Sequence, residues 1–284
     1  MATVSSPSYQ VAAGLIPVAP TRPVAGYIGG KRNLAKRIVE RISAISHTTY
    51  AEPFVGMGGI FLRRTFRPQA EVINDWSADV ATFFRILQRH YVAFMDMLRF
   101  ELTTRSRFEE LLRTDPTTLT DLERSARFLY LQRTTFGGKV AGRSFGVSPT
   151  TGARFDITKL GPLLEAAHER LAPVVIERLA WADFITRYDR PGTLFYLDPP
   201  YYGSEKDYVG DDRKPLFERS QFEQMAELLG TIRGRFLLSI NDHPDVRHVF
   251  RAFDFEEVET TYQLAGMARP KRVGELIISG GGGG

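Results

Sequence analysis

The sequence predicts an α/β protein: a doubly wound, mainly parallel sheet interrupted by an all-helical block. Three observations predict it. Short apolar strands alternate with amphipathic helices up to about residue 84, and the alternation resumes after residue 172. Between 85 and 172 the strand signals vanish and only helical patterns and polar loops remain. Two of the apolar runs end in loops, "EPFVGMGG" and "DPPYY", which can serve either a ligand or a plain turn.

Each element has its own warrant. After Gly29-Gly30, Leu34, Ile38, Ile42 and Ile45 recur at helical spacing with basic residues between them. "TTYAEPFVGMGG" (48–59) reads as a strand entering a glycine-rich turn, and "IFLRRTF" as the opening of a second helix. "AEVIND" (70–75) reads as a strand ending in an acid. Ser77 is then placed to cap a helix whose Val80, Phe83, Phe84 and Leu87 share one face. The helical block contains "DLERSARFLYLQRT" and a long loop rich in Gly, Ser, Thr and basic residues (134–156). Strands return with "PVVIERLA" (173–180) and "TLFYLD" (193–198). A helix follows, with Phe222, Met225, Leu229 and Ile232 on one side. "RFLLSIND" (235–242) and "RVGELIIS" (272–279) read as buried strands, and "FDFEEVE" (253–259) as an edge strand. Residues 1–25, rich in Ala, Val, Pro and Ser, are expected to form a flexible tail, and 280–284 a glycine tail.

Composition narrows the chemistry. The chain of 284 residues has no cysteine, which excludes disulfides and thiolate metal sites and suits a reducing cytoplasm. No apolar run is long enough to cross a bilayer, and no secretory leader is expected at the start. The five histidines show no metal-ligand spacing, so no metal is expected. A net charge of +4 and a pI near 9.3 favour a polyanionic partner.

The loops carry the sharper signals. Phe54, Gly56 and Gly58 lie at a strand-to-helix turn, where glycine permits unusual backbone angles and close ligand approach. In an open α/β sheet such turns face the ligand. The spacing is not the dinucleotide pattern G-x-G-x-x-G. Asp75 ends the next strand, a position that commonly binds ribose hydroxyls. Together these residues suggest an adenosine-containing cofactor without a pyrophosphate; the alternatives are a plain glycine turn and a helix cap. In Asp198-Pro199-Pro200-Tyr201 the prolines lack amide hydrogens, so the turn offers acceptors and few donors. A carboxylate, a carbonyl and an aromatic ring suit an exocyclic amine on a flat base, with Tyr201 stacking on it.

In this order, the motifs "YIGGKRNLAKRI", "EPFVGMGGIFLR", "INDWSADV", "WADF" and "DPPY" resemble those of the Dam-type DNA adenine methyltransferases, over nearly the whole chain after about residue 25. The resemblance implies a Rossmann-like methyltransferase sheet (26–84 and 173–279) using S-adenosylmethionine, with 85–172 as an inserted helical domain that reads double-stranded DNA. It implies that Tyr27, Lys31, Phe54, Gly56, Gly58, Asp75, Asp183 and Asp198 line the cofactor, and that Asp198, Pro199, Pro200 and Tyr201 hold a flipped adenine. Arg133, Lys139 and Arg143, in or beside the long loop, are the candidates for groove contacts, and Lys206 for phosphate. The loop after Tyr201 is expected to close over the base. Two motifs depart from the family: "SFGVSP" stands where "FNVP" is usual, so a GATC target does not follow, and "WADF" has Ala182 in place of glycine. The expected protein is a site-specific DNA adenine methyltransferase, monomeric, cytoplasmic and nucleoid-associated, of a prokaryote or phage. The alternatives are an RNA adenine or DNA cytosine amino methyltransferase, or an inactive DNA-binding relative.

Overall fold

The computed structural model describes residues 10–146, 150, 152–210, 215–262 and 271–282. Nine strands and nine α-helices occur among them. The strands are β1 (Ile16–Pro17), β2 (Thr49–Glu52), β3 (Phe66–Arg67), β4 (Ala70–Asn74), β5 (Val175–Glu177), β6 (Thr193–Leu197), β7 (Arg235–Asn241), β8 (Asp254–Tyr262) and β9 (Lys271–Gly281). The helices are α1 (Ala35–Ala44), α2 (Ala78–Arg89), α3 (Tyr91–Leu98), α4 (Arg105–Arg113), α5 (Asp121–Thr134), α6 (Ile157–Leu171), α7 (Trp181–Tyr188), α8 (Gln221–Leu229) and α9 (Pro244–Val249).

Seven strands form one sheet in the order β5-β4-β2-β6-β7-β9-β8. β5, β4, β2, β6 and β7 run parallel, β9 pairs antiparallel with β7, and β8 antiparallel with β9. Buried parallel strands are continuously apolar because both faces are covered, and all five residues of β6 are buried. Their side chains alternate between two cores. Leu194 and Tyr196 join one with Tyr50, Ile73 and Phe83. Phe195 and Leu197 join the other with Ala51, Phe236 and Leu238. The strand order reverses between β2 and β6, which opens a crevice at their carboxyl ends.

Several expectations need correction. The segment from Ile60 forms a single 3₁₀ turn, Phe61–Arg63, and then β3, not a helix. Arg64 turns extended because its buried guanidinium donates to Glu71 at 2.6 Å, so tertiary pairing overrides local helical propensity. The residues after 10 are not a loose tail. β1 pairs with β3, the Ala12 amide donates to the Ser43 carbonyl at 2.8 Å, and Val24 and Ala25 are buried. Residues 1–9 lie outside the described ones. Gly280 and Gly281 belong to β9, where a Cβ at Gly280 would meet Phe253 at 2.9 Å.

The helical block is not a separate lobe. α2 runs unbroken across the expected boundary at 84/85, and one core joins Phe83 and Leu87 of α2 to Phe94, Phe128, Leu129 and Leu160. α6 is tied to β4 by two 2.6 Å bonds from Arg170 to Glu71.

Candidate active site

A cavity of about 970 Å³ occupies the crevice where the strand order reverses. Its walls include Tyr27, Gly56, Asp75, Trp181, Asp198 and Phe217. Of the expected cofactor residues, Tyr27, Lys31, Phe54, Gly56, Asp75 and Asp198 line it.

The turn after β2 forms one side. Gly56 has φ +50° and a Cβ there would stand 3.1 Å from the Tyr27 ring, so the residue must be small. Gly58, at φ +74°, faces Leu62 and Phe84 and serves packing. Asp75 accepts the Gly56 amide at 2.9 Å and the Ser77 amide at 2.9 Å. It therefore holds the glycine turn and caps α2, the task expected of Ser77, whose side chain makes no cap bond. Burial raises the Asp75 carboxyl to about 6. Asn74 donates to the carbonyls of Pro53 and Leu179, which ties together the loops that follow β2 and β5. Phe54, Trp181 and Phe217 make an aromatic wall, with ring centroids 5.9 and 6.5 Å apart. Asp183 is exposed in the first turn of α7 and lies outside this wall, while its neighbours Ala180 and Trp181 are part of it.

The loop after β6 forms the other side. Lys31 is fully buried and its ammonium lies 3.0 Å from Asp198 Oδ1 and 3.4 Å from Glu275 Oε2. It donates to the Tyr201 hydroxyl at 2.9 Å and stands 4.0 Å from that ring's centroid. The Tyr201 hydroxyl in turn donates to Glu275 Oε1. Burial raises the Asp198 carboxyl to about 6, with Lys31 pulling the other way. Pro199 and Pro200 are buried in the wall. Tyr202 points elsewhere: its hydroxyl donates to Asp245 and its ring packs on Phe222 and His243.

Two wall residues, Glu52 and Tyr208, and one residue behind the wall, Glu275, escaped the sequence reading or had no role in it. Glu52 is buried at the end of β2 and is raised to about 8 by burial. Tyr208 donates to the Ile28 carbonyl at 3.0 Å and packs 6.3 Å from Tyr27. Glu275, buried in β9, reaches Tyr201 and Lys31 from across the sheet. Only Glu275 left a signal, a lone acid inside an apolar strand.

The basic candidates separate. Arg133 is half-buried and donates to the carbonyls of Arg154 and Val24. Arg143 donates to the Lys139 carbonyl and to Gln132 at 3.1 Å, and burial lowers its pKa. Lys139 is exposed. The side chain of Lys206 and residues 211–214 of the expected closing loop lie outside the described residues. Among the described residues no group of three His, Cys, Asp or Glu could hold a metal ion, and no helix is long and apolar enough to cross a membrane.

The family model for D12 class N6 adenine-specific DNA methyltransferases matches residues 27–264. The Type II methyltransferase M1.LlaDCHI of Lactococcus lactis subsp. cremoris is 23% identical over 280 residues, covering 91% of this chain and 95% of its own. A solved structure of a proposed RNA methyltransferase from Pyrococcus horikoshii is 9% identical, covers 87% of this chain and 82% of its own, and has a TM-score of 0.37.

Proposed function

Because the chain belongs to the D12 class of N6 adenine-specific DNA methyltransferases, we propose that the crevice between β2 and β6 is where a flipped adenine meets S-adenosylmethionine. The enzyme methylates adenine in DNA; the residues that carry the transfer are the proposal. The observation that carries it is Asp198, held 3.0 Å from a buried Lys31 at the end of β6, in the wall of a cavity large enough for both reactants.

The residues fit such a cofactor. The missing side chain of Gly56 leaves Tyr27 close against the turn, and each Asp75 oxygen keeps a lone pair for a ribose hydroxyl. When bound, the cofactor supplies an electrophilic methyl carbon whose bonding pair departs with sulfur. The chain's own residues orient the nucleophile. Asp198, ionised above about pH 6, accepts one hydrogen of the exocyclic amine and stabilises the positive charge that grows on it. The amine nitrogen forms the new N–C bond and then loses a proton, through Asp198, to water. Tyr201, anchored through its hydroxyl, presents its ring to the base. Exposed Lys139, beyond α5, is the best placed for a DNA contact of the basic candidates whose side chains are described.

Labelled S-adenosylmethionine and duplex DNA test this directly. Wild-type protein should yield labelled N6-methyladenine and Asp198→Ala none, with its circular dichroism unchanged. Transfer by Asp198→Ala at near-normal rate would remove Asp198 from the mechanism.

A further inference from the structure

We propose that Glu275 is a positioning residue of the methyl-transfer site, acting through Tyr201 and Lys31 rather than on the substrate. The geometry is specific. Glu275 sits in β9 opposite Asn241 of β7, fully buried, with its carboxylate turned to the loop after β6. One oxygen accepts the Tyr201 hydroxyl and the other lies 3.4 Å from the Lys31 ammonium. That ammonium also touches Asp198 and the Tyr201 hydroxyl. Four side chains from three separate segments thus form one contact set, and only Glu275 comes from a strand on the far side of β7.

Two consequences follow. First, the Tyr201 ring has a single polar handle, and Glu275 and Lys31 both grip it, so the ring is fixed before substrate arrives. Second, Lys31 is shared between two carboxylates and cannot neutralise both. The groups facing Asp198 are Lys31, Glu275, Glu52, Tyr196 and Ser239, whose hydroxyl lies 3.4 Å away. Lys31 favours the ionised form, whereas the charge of Glu275 opposes it. Burial is the largest influence on how readily Asp198 takes up a proton, and the charge of Glu275 adds to it. A carboxylate that supported the fold from farther away would not influence that balance.

The inference rests on Asp198 being the acceptor, so three variants are assayed together: Glu275→Gln, Glu275→Ala and Asp198→Asn. Glu275→Gln keeps an acceptor for Tyr201 but removes the charge. Lys31 then serves Asp198 alone, and the acid limb of the kcat/KM profile should move to lower pH. Glu275→Ala releases Tyr201, and kcat should fall on the order of a hundredfold, the cost of a misplaced reacting group, with KM for S-adenosylmethionine nearly unchanged. Near-wild-type kcat in Glu275→Gln beside low kcat in Glu275→Ala would complete the pattern. If Asp198→Asn is inactive while the Glu275→Gln profile overlays the wild type, the inference on Glu275 fails by itself. If Asp198→Asn transfers methyl groups normally, the acceptor assignment fails and takes this inference with it. Should Glu275→Ala not fold, the pH profile of Glu275→Gln still decides.

Discussion

The Tyr50 hydroxyl donates to Glu52 at 2.6 Å, and both side chains are completely enclosed at the end of β2. Burial, reinforced by the charge of Asp198, raises Glu52 to about 8, so this acid carries a proton at neutral pH. A strand that leads to the glycine turn thus ends in a neutral acid.

Stability should therefore decline with rising pH in a defined window. Unfolded, Glu52 titrates near about 4.3; folded, near about 8. Between these values the folded state binds the extra proton, so its advantage is complete below the lower value and is lost on the way to the upper one. The slope from this group is at most about 1.4 kcal/mol per pH unit. Glu52→Gln retains the Tyr50 bond and should flatten the decline. Urea midpoints between pH 5 and 9 report it, and parallel curves for variant and wild type would refute the coupling.

Gly56→Ala should damage cofactor binding more than folding. Strain at φ +50° costs roughly 1–2 kcal/mol, and the new methyl would press on the Tyr27 ring at 3.1 Å. We expect KM for S-adenosylmethionine to rise about tenfold, equivalent to about 1.4 kcal/mol. Gly14→Ala is the control: φ is +87° and nothing lies within 4 Å of its Cβ, so stability alone should drop. Equal KM changes in the two variants would show that Tyr27 is not the cause.

Lys139 and Arg133 should respond differently. Lys139→Ala should reduce the salt dependence of DNA binding by about one unit of slope, as for a lost phosphate contact. Arg133→Ala strips donors from the carbonyls of Arg154 and Val24 and should cost about 1–3 kcal/mol of stability, with the salt slope unchanged. Binding titrations at several salt concentrations, paired with thermal melts, separate the two. A reversed pattern would assign the DNA contact to Arg133.

Glu71 should be among the costliest residues to alter away from the cavity. It accepts from Arg64 and twice from Arg170, all at 2.6 Å and all buried. Glu71→Gln leaves two enclosed guanidinium groups short of charge, a change worth about 3–5 kcal/mol. Denaturant unfolding should show it, with kcat of the folded fraction unaltered. A loss below about 1 kcal/mol would mean that water reaches the trio.

What could be read beforehand was local. Apolar runs such as "TLFYL" announce buried strands because both faces of a parallel sheet are covered, and the loops that end them follow in sequence. Gly56, Asp75 and Asp198 were legible for that reason. Long-range pairing was not. The Arg64–Glu71 bond turns an expected helix into a strand. β9 enters between β7 and β8 by register alone, and that register brings Glu275 to Tyr201. Asp183, expected at the cofactor from its motif, sits exposed because the N-terminus of α7 presents Trp181 inward instead.

The unbroken α2 has a consequence for how new specificities could arise. A chimaera joined at residues 84 and 172 would cut that helix within its own length and part Phe83 from Phe128, whose rings lie 5.8 Å apart. Swapping residues 85–172 of this chain as a cassette would expose apolar surface on both pieces. If Lys139 contacts DNA as proposed, diversification is left to the rim beyond α5, around that residue. There Gln132 links the carbonyls of Gly26 and Gly138, and each trial change is felt one residue away from Tyr27.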